Sequence, residues 1–329
     1  MSKTFDLLNM RPSGIPNMEG LFGKAHSHNW DIDRDVDWSR GIQPDDPVMG
    51  PRWAPYSLTP TFRKLPLRAR NHFTRRSFSF TLNSLRLGEA VAEEVCFRVG
   101  LKSRHPDQKS HAAAQAMDEA RHYTAYSRIL EMLNEQPEEI EKHTRTTFDT
   151  VLALDSVHDL IAWEMFYLES LATNVLRLIG QHARHPVVKR VFRLSTRDES
   201  RHMGFGILYV QDWLGRCNFD EQVEFAGTWL NQILTLSFGQ QDPTSLNRTT
   251  RWLYEADVAN SLELATAMLR EQQVVLQRDF EDAAAGTRVP QELKSARRAG
   301  LLRPDLLEAL RLQAHPLVRG ALAASEKDD

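Results

Sequence analysis

The 329-residue chain has little cysteine, no long apolar run and no excess of charge of one sign. Its two cysteines, Cys96 and Cys217, make neither a disulfide framework nor a cluster for structural zinc or iron–sulfur, so a reducing cytoplasm is the expected location. No apolar run of about 18 residues suggests a membrane span. The opening Met1-Ser2-Lys3-Thr4-Phe5-Asp6 lacks a basic region followed by an apolar stretch, so no signal peptide is expected. A net charge of −3 gives no reason to expect nucleic acid or an anionic membrane as a partner. With 41% hydrophobic and 26% charged residues, the composition is that of a soluble globular protein.

What the chain does have is a stretch that occurs twice. The first copy runs from Glu89 through His105-Pro106 to Asp118-Glu119-Ala120-Arg121-His122, the second from Glu169 through His185-Pro186 to Asp198-Glu199-Ser200-Arg201-His202. In each, His-Pro follows the lone Glu by sixteen residues, the second Glu follows it by thirty, and the whole unit repeats with a shift of eighty. Residues three apart on a helix share a face, so each Glu-x-x-His offers a carboxylate and an imidazole to one centre. Two such pairs and two single glutamates form the donor set with which helical bundles hold two iron or manganese ions.

Eight of the fifteen prolines fall within residues 1–70, together with Trp30, Trp38 and Trp53. This pattern predicts an extended arm wrapped on the body with its tryptophans buried. Asp31, Asp33, Asp35 and Asp37 alternate as on a solvated strand face; no Gly or terminal Glu makes them a calcium loop. Helix one is expected from about Thr74 to Val99. Phe78, Leu82, Leu85, Ala92, Cys96 and Val99 form its inward stripe, and Glu89 lies in line with them. Glu93, one turn further on, is an extra ligand, a polar wall of the cavity or a plain partially exposed glutamate. Helix two follows Pro106 and reaches about Asn134. Asp118 is expected to orient a ligating histidine on the other Glu-x-x-His helix, the competing reading being a surface ion pair with Arg121.

Gln136-Pro137-Glu138-Glu139 is expected to connect to helix three, roughly Phe148–Gln181 with a break near Asp155. There Glu164 and Glu169 compete for the ligand role, and the repeat selects Glu169. A separation of five residues puts Glu164 on another side of an α-helix. Thr173 sits at Glu169+4 and either faces the cavity or bonds its own i−4 carbonyl. Helix four is expected from Pro186 to Arg216, followed by helices over 219–240 and 243–283 and a loosely attached one over Leu301–Ala323. The tail 325–329 is expected to fray.

At these residues the chain resembles the ferritin-like di-iron carboxylate superfamily, over about residues 28–215. That superfamily includes multicomponent monooxygenase hydroxylases, arylamine N-oxygenases, ribonucleotide reductase small subunits and ferritins. The two Asp-Glu-x-Arg-His runs are most similar to the hydroxylases and their single-chain relatives. The resemblance implies an all-α, ferritin-like four-helix bundle over 71–216, an extended arm over 1–70 and additional helices over 217–329. It implies Glu89, Glu119, His122, Glu169, Glu199 and His202 as ligands of two Fe, or of Mn and Fe, with Glu119 and Glu199 bridging. Asp118, Asp198, Arg121, Arg201 and Glu93 would surround them. Thr173 matches a hydroxylase threonine associated with proton delivery. Tyr126 has the spacing of the ribonucleotide reductase radical tyrosine, although a core tyrosine whose hydroxyl meets a carboxylate is the plainer expectation. Arylamine N-oxygenases carry an additional histidine one turn before the last Glu-x-x-His. Ser195 stands there, which sets the chain apart from them.

The expected activity is therefore O2 activation at a di-iron centre and oxidation of a small organic substrate. Leu85, Cys96 and Phe166 are candidates for its pocket or, equally, for packed core. Electrons must come from an external ferredoxin-type reductase, since no flavin, nicotinamide or cysteine-cluster signature is present. The alternatives are an arylamine N-oxygenase, a radical-generating subunit serving a partner enzyme, and an iron-storage or structural metal protein. Long exposed helices make a homodimer an expectation too.

Overall fold

Proline and polar caps set where the helices begin. The computed structural model describes residues 10–135, 138–236 and 244–324. In the N-terminal region α1 (Met18–Ser27) is followed by irregular chain, two 3₁₀ turns and α2 (Pro60–Lys64), which Pro60 opens and the Thr59 side chain caps. The bundle then comprises α3 (Leu67–Lys102), α4 (Pro106–Leu133), α5 (Lys142–Ala153), α6 (Val157–Leu160), a π-helical segment (Ile161–Leu168), α7 (Glu169–His182) and α8 (Pro186–Arg216). Pro106 and Pro186 occupy the first helical turn of α4 and α8, where a missing N–H costs nothing. Thus each His-Pro of the repeat is a helix start. α3 packs along α4 and α7 along α8, so each repeat unit is one antiparallel helix pair.

The architecture is a ferritin-like helical bundle, with no named strand among the described residues. Beyond it lie α9 (Phe219–Leu236), α10 (Ser245–Glu255), α11 (Ser261–Ala284), α12 (Gln291–Arg298), α13 (Pro304–Ala309) and α14 (Pro316–Ala323). The expected helix over 243–283 is in fact two, because Asp257 and Asn260 take positive φ between them. The expected helix over Leu301–Ala323 is also broken, by Arg311 at φ 56 and by Pro304 and Pro316 at helix starts. Nor is this region loosely attached. Leu301, Leu306 and Val318 are fully buried in a core shared with Trp229, Phe166 and Val210. The connector at Gln136-Pro137 and the tail 325–329 lie outside the described residues.

The N-terminal segment is tied to the body rather than simply extended. Besides α1, its Trp30 and Trp53 are buried and Trp38 is half-buried. Gly50 donates to the His182 carbonyl at 2.7 Å, anchoring the segment at the α7–α8 turn. The aspartates do not form a strand face. Asp35 Oδ2 accepts from the Asp31 amide, and Asp31 Oδ1 from the Asp33 and Arg34 amides, which is the local capping that favours turns.

One contact fixes how the third and fourth bundle helices meet. At Gly206 of α8, a Cβ would lie 2.1 Å from the Met165 carbonyl oxygen and 2.6 Å from Phe166 Cα, both in the π-segment. Only glycine allows this approach. Gly206→Ala must push the two backbones apart, and it is expected to cost about 3 kcal/mol of unfolding free energy. A denaturant titration checks this; a loss below about 0.5 kcal/mol, the ordinary surface value, would mean that the contact is not tight.

Candidate metal centre

Four helices each bring one carboxylate to the middle of the bundle. Glu89 comes from α3, Glu119 from α4, Glu169 from the first residue of α7 and Glu199 from α8, and all four are buried. His122 and His202 join them one turn after Glu119 and Glu199. One donor atom each from Glu89, Glu119, His122 and Glu199 lie within 4.8 Å of one another, and so do those from Glu119, Glu169, Glu199 and His202. Glu119 and Glu199 belong to both groups. His122 Nδ1 is 3.2 Å from Glu119 and 3.1 Å from Glu199; His202 Nδ1 is 3.1 Å and 2.8 Å from the same two residues.

Both rings turn their other nitrogen outward, to the aspartate of the opposite repeat. His122 Nε2 is 3.3 Å from Asp198 and His202 Nε2 is 3.1 Å from Asp118. The arginines close the square: Arg121 pairs with Asp118 and Asp198, Arg201 with Asp198 at 2.9 Å and Asp118 at 2.5 Å. The Asp118–Arg121 pair is thus internal, not a surface ion pair. Trp30 of the N-terminal segment seals this side. Its indole N–H donates to Asp198 at 2.7 Å, its ring stacks on His122 and the Arg121 guanidinium lies over it at 5.0 Å.

The electrostatics of the cluster call for cations. Burial pushes the Glu89 and Glu169 carboxyls well above the usual range, and the other carboxylates add to this. Burial opposes charge on Glu119 as well, yet His202 and His122 outweigh it and hold the group at about 2. Burial likewise disfavours the charged imidazoles, but the surrounding carboxylates raise both well above the usual histidine value. Ionising all four carboxylates in this dry interior needs more counter-charge than two imidazoliums supply, and is costly without cations. Glu119 Oε2 and His122 Nδ1 also have no hydrogen-bond partner. Two divalent metal ions would balance the four carboxylates while leaving the imidazoles neutral, and oxygen with imidazole donors suits iron and manganese. The residues fit the group.

Several sequence expectations change here. Glu164 does not point away from Glu169. The Glu169 N–H donates to the Glu164 carbonyl in the π-segment, and i→i+5 bonding brings residues five apart back to one face. Glu164 is 4% exposed, its Oε2 has no partner, and it faces the same cleft as Glu89, Glu169 and Glu199. Thr173 donates its hydroxyl to the Glu169 carbonyl at 2.7 Å, the local i−4 bond. Ala172 and Val175, not Thr173, line the cleft. Glu93 is half-buried and lies outside both clusters. Tyr126 meets no carboxylate: its ring stacks on Phe192 and, more loosely, on His122, and its hydroxyl faces Ser195. Of the pocket candidates, Leu85 lines the cleft, whereas Cys96 and Phe166 are packed core.

Two residues were missed. Gln115 donates to Glu119 at 2.9 Å and to Glu169 at 2.7 Å, holding two carboxylates in place. His111 stacks on Phe205 with 4.0 Å between ring centres, and burial with nearby His202 lowers it to about 3. Both continue the stripe backward from Glu119 in steps of four, the signal that would have found them.

The cleft above the centre has a volume of about 860 Å³. Apolar residues such as Phe80, Leu85, Ala92, Phe148 and Leu168 line it, and Glu89, Glu164, Glu169 and Glu199 lie at its floor. Glu164 is raised to about 8 by burial and then by Glu119 and Glu199. The folded state therefore holds a proton on Glu164 that the unfolded chain releases near 4.5. Its contribution to stability is fully present below that value and is lost as pH rises through about 8. In the metal-free protein, Glu164→Gln should match the wild type near pH 5 and exceed it by at least about 1 kcal/mol above pH 8. Thermal melts across this range check the sign; equal curves at both ends would remove the raised carboxyl from the account.

The family described as P-aminobenzoate N-oxygenase AurF matches residues 17–238, more than half of the chain. No curated protein sequence matches it. Ser195, in place of the additional histidine, had set the chain apart from the N-oxygenases; the match overturns that separation, and Ser195 stands as a departure within the family. With the buried carboxylate–histidine cluster, this match shows that the chain belongs to the p-aminobenzoate N-oxygenase AurF family of O2-using di-iron oxidoreductases.

Proposed function

We propose that this di-iron oxygenase oxidises the nitrogen of a small aromatic amine, with Glu89, Glu119, His122, Glu169, Glu199 and His202 holding the metal ions. The observation that carries the reading is the cleft: a mostly apolar space of about 860 Å³, ample for an aromatic amine, opens directly onto Glu89, Glu169 and Glu199. When bound, the two iron ions supply the activation of O2. The chain's own residues do the rest. Asp118 and Asp198 accept from the outer nitrogens of His202 and His122, which directs both Nδ1 atoms inward and fixes the tautomer. Gln115 restrains Glu119 and Glu169 from one side, while Trp30 keeps water from the other. Phe80, Leu85, Phe148 and Leu168 offer an apolar bed for an aromatic ring. Glu164, raised by burial, holds a proton at the cleft floor.

The family's name, that of a p-aminobenzoate N-oxygenase, supports an amine as the reacting group. A separate reductase completes the reading, supported by the absence of a flavin, nicotinamide or iron–sulfur signature in the chain. Two free cysteines support a reducing compartment. Exposed Phe97, Leu101 and Met117 on α3 and α4 support a contact with a reductase or a second copy.

Anaerobic loading with Fe(II), then addition of O2 and a reductant in the presence of arylamines, tests the function. The expected result is two irons per chain and hydroxylamine, nitroso or nitro products. Iron loading with no product from any arylamine would overturn N-oxygenation. The ligand assignment has its own test. Glu169→Ala should lose half of the bound iron or more by metal analysis, while Glu164→Ala retains it; the reverse result would exchange their roles.

A further inference from the structure

The cleft has a second polar end. Its outer wall comes from Val289, Pro290 and Glu292, at the start of α12 and beyond the stretch matched by the family. Glu292 is 5% exposed, although an acidic residue in the first turn of a helix ordinarily stands in water. Leu293 and Ala296 are fully buried, so α12 is locked in place and Glu292 with it. The polar partner of the Glu292 carboxyl is the Asn174 amide, which donates to both oxygens at 3.2 Å. Among the described residues, Glu292 forms no ion pair with a lysine or arginine. The other charged groups around the cleft are matched elsewhere. Glu141 pairs with Arg248 at 2.9 Å and Asp279 with Arg288 at 3.0 Å. Arg177 stays at the exposed rim and donates to Asn174 Oδ1 at 3.1 Å. A carboxyl this buried, served by the Asn174 amide, its own backbone N–H and the Arg177 guanidinium at the exposed rim, is still under-compensated, and a ligand bearing positive charge or strong donors would supply what it lacks.

The spacing limits what can bridge the two ends. Asn174 lies five residues after Glu169 on α7, about 7.5 Å along the helix axis at 1.5 Å per residue, and both line the cleft. The floor and the Glu292 end are thus offset by more than about one helical turn, so a ligand that reaches both carries polar groups at opposite ends of its aromatic body. We propose that Glu292 is a substrate-anchoring residue, and that the cleft selects a ring amine whose opposite end carries a cationic, hydrogen-bond-donating group. A ring amine with a carboxylate at that end brings like charge to Glu292 and is disfavoured. Burial also holds the Glu292 carboxyl above its usual range, and its backbone N–H, Asn174 and Arg177 together do not offset this. The inference deepens the aromatic-amine reading above and rests on it.

Binding is measured by calorimetry on the iron-loaded chain without O2, so that no turnover intervenes. The probes are 4-aminobenzylamine, aniline and p-aminobenzoate. We expect 4-aminobenzylamine to bind about tenfold or more tightly than p-aminobenzoate, and Glu292→Gln to reduce that preference by about the same factor. Equal or tighter binding of p-aminobenzoate to the wild type would overturn the proposal, as would failure of 4-aminobenzylamine to bind. A cation preference unchanged in Glu292→Gln, with iron content and helical circular dichroism intact, would overturn it too. The wild-type series decides the matter even where the variant does not fold. Admitting O2 and reductant afterwards separates the two readings. Glu292-dependent binding without oxidation at nitrogen leaves the anchor and removes the N-oxygenase, whereas N-oxidation indifferent to Glu292 does the reverse.

Discussion

Four carboxylates buried within a few ångströms of one another repel, and most of the bundle answers that repulsion. Glu89, Glu119, Glu169 and Glu199 come from four different helices, so holding them together requires helices that cannot slide. The two imidazoles and the metal ions they imply balance the charge inside. A second ring of charge, Asp118 with Arg121 and Asp198 with Arg201, is neutral in itself and fixes the imidazoles from outside. A third layer keeps water out of that ring, with Trp30 hydrogen-bonded to Asp198 and stacked on His122. The N-terminal segment is therefore part of the centre although it offers no ligand.

The two halves of the centre are alike at the ligands and unlike one turn away. Gln115 precedes Glu119 by four residues and ties it to Glu169; Ser195 holds the same place before Glu199 and faces Tyr126 instead. Tyr126 itself has Gly206 as its counterpart. The tyrosine fills space beside His122, while the glycine vacates space that the π-segment backbone occupies. That segment carries the extra residue which returns Glu164 to the cleft. The asymmetry gives one side of the centre a wide opening and the other a packed wall, as an enzyme that must admit O2 and substrate requires.

The opening is shaped by residues far along the chain. α3, α5 and α7 supply the apolar walls near the centre, and α12 supplies the outer end. The fold thus separates the parts: the repeat units bring the carboxylates and imidazoles together, and the C-terminal helices supply the outer end of the cleft.

The sequence by itself determined the helical class and the six candidate ligands. These follow from spacing along single helices and from a repeat of eighty residues, and helical periodicity is a local property that a chain carries everywhere. Gln115 and His111 were legible by the same rule, as further steps on the stripe through Glu119. The tertiary structure alone decided the rest. The regular α-periodicity assumed for helix three placed Glu164 wrongly, because the π-segment lies where Gly206 of another helix lets backbone meet backbone. Thr173 bonds the carbonyl four residues back on its own helix, one of the two readings its spacing had left open. Glu292, separated from Glu169 by more than a hundred residues, joined the cleft only through the packing of α12 on α7 and α8. Spacing along one helix is written in the chain; distances between helices are set by side chains that meet only once the bundle has closed.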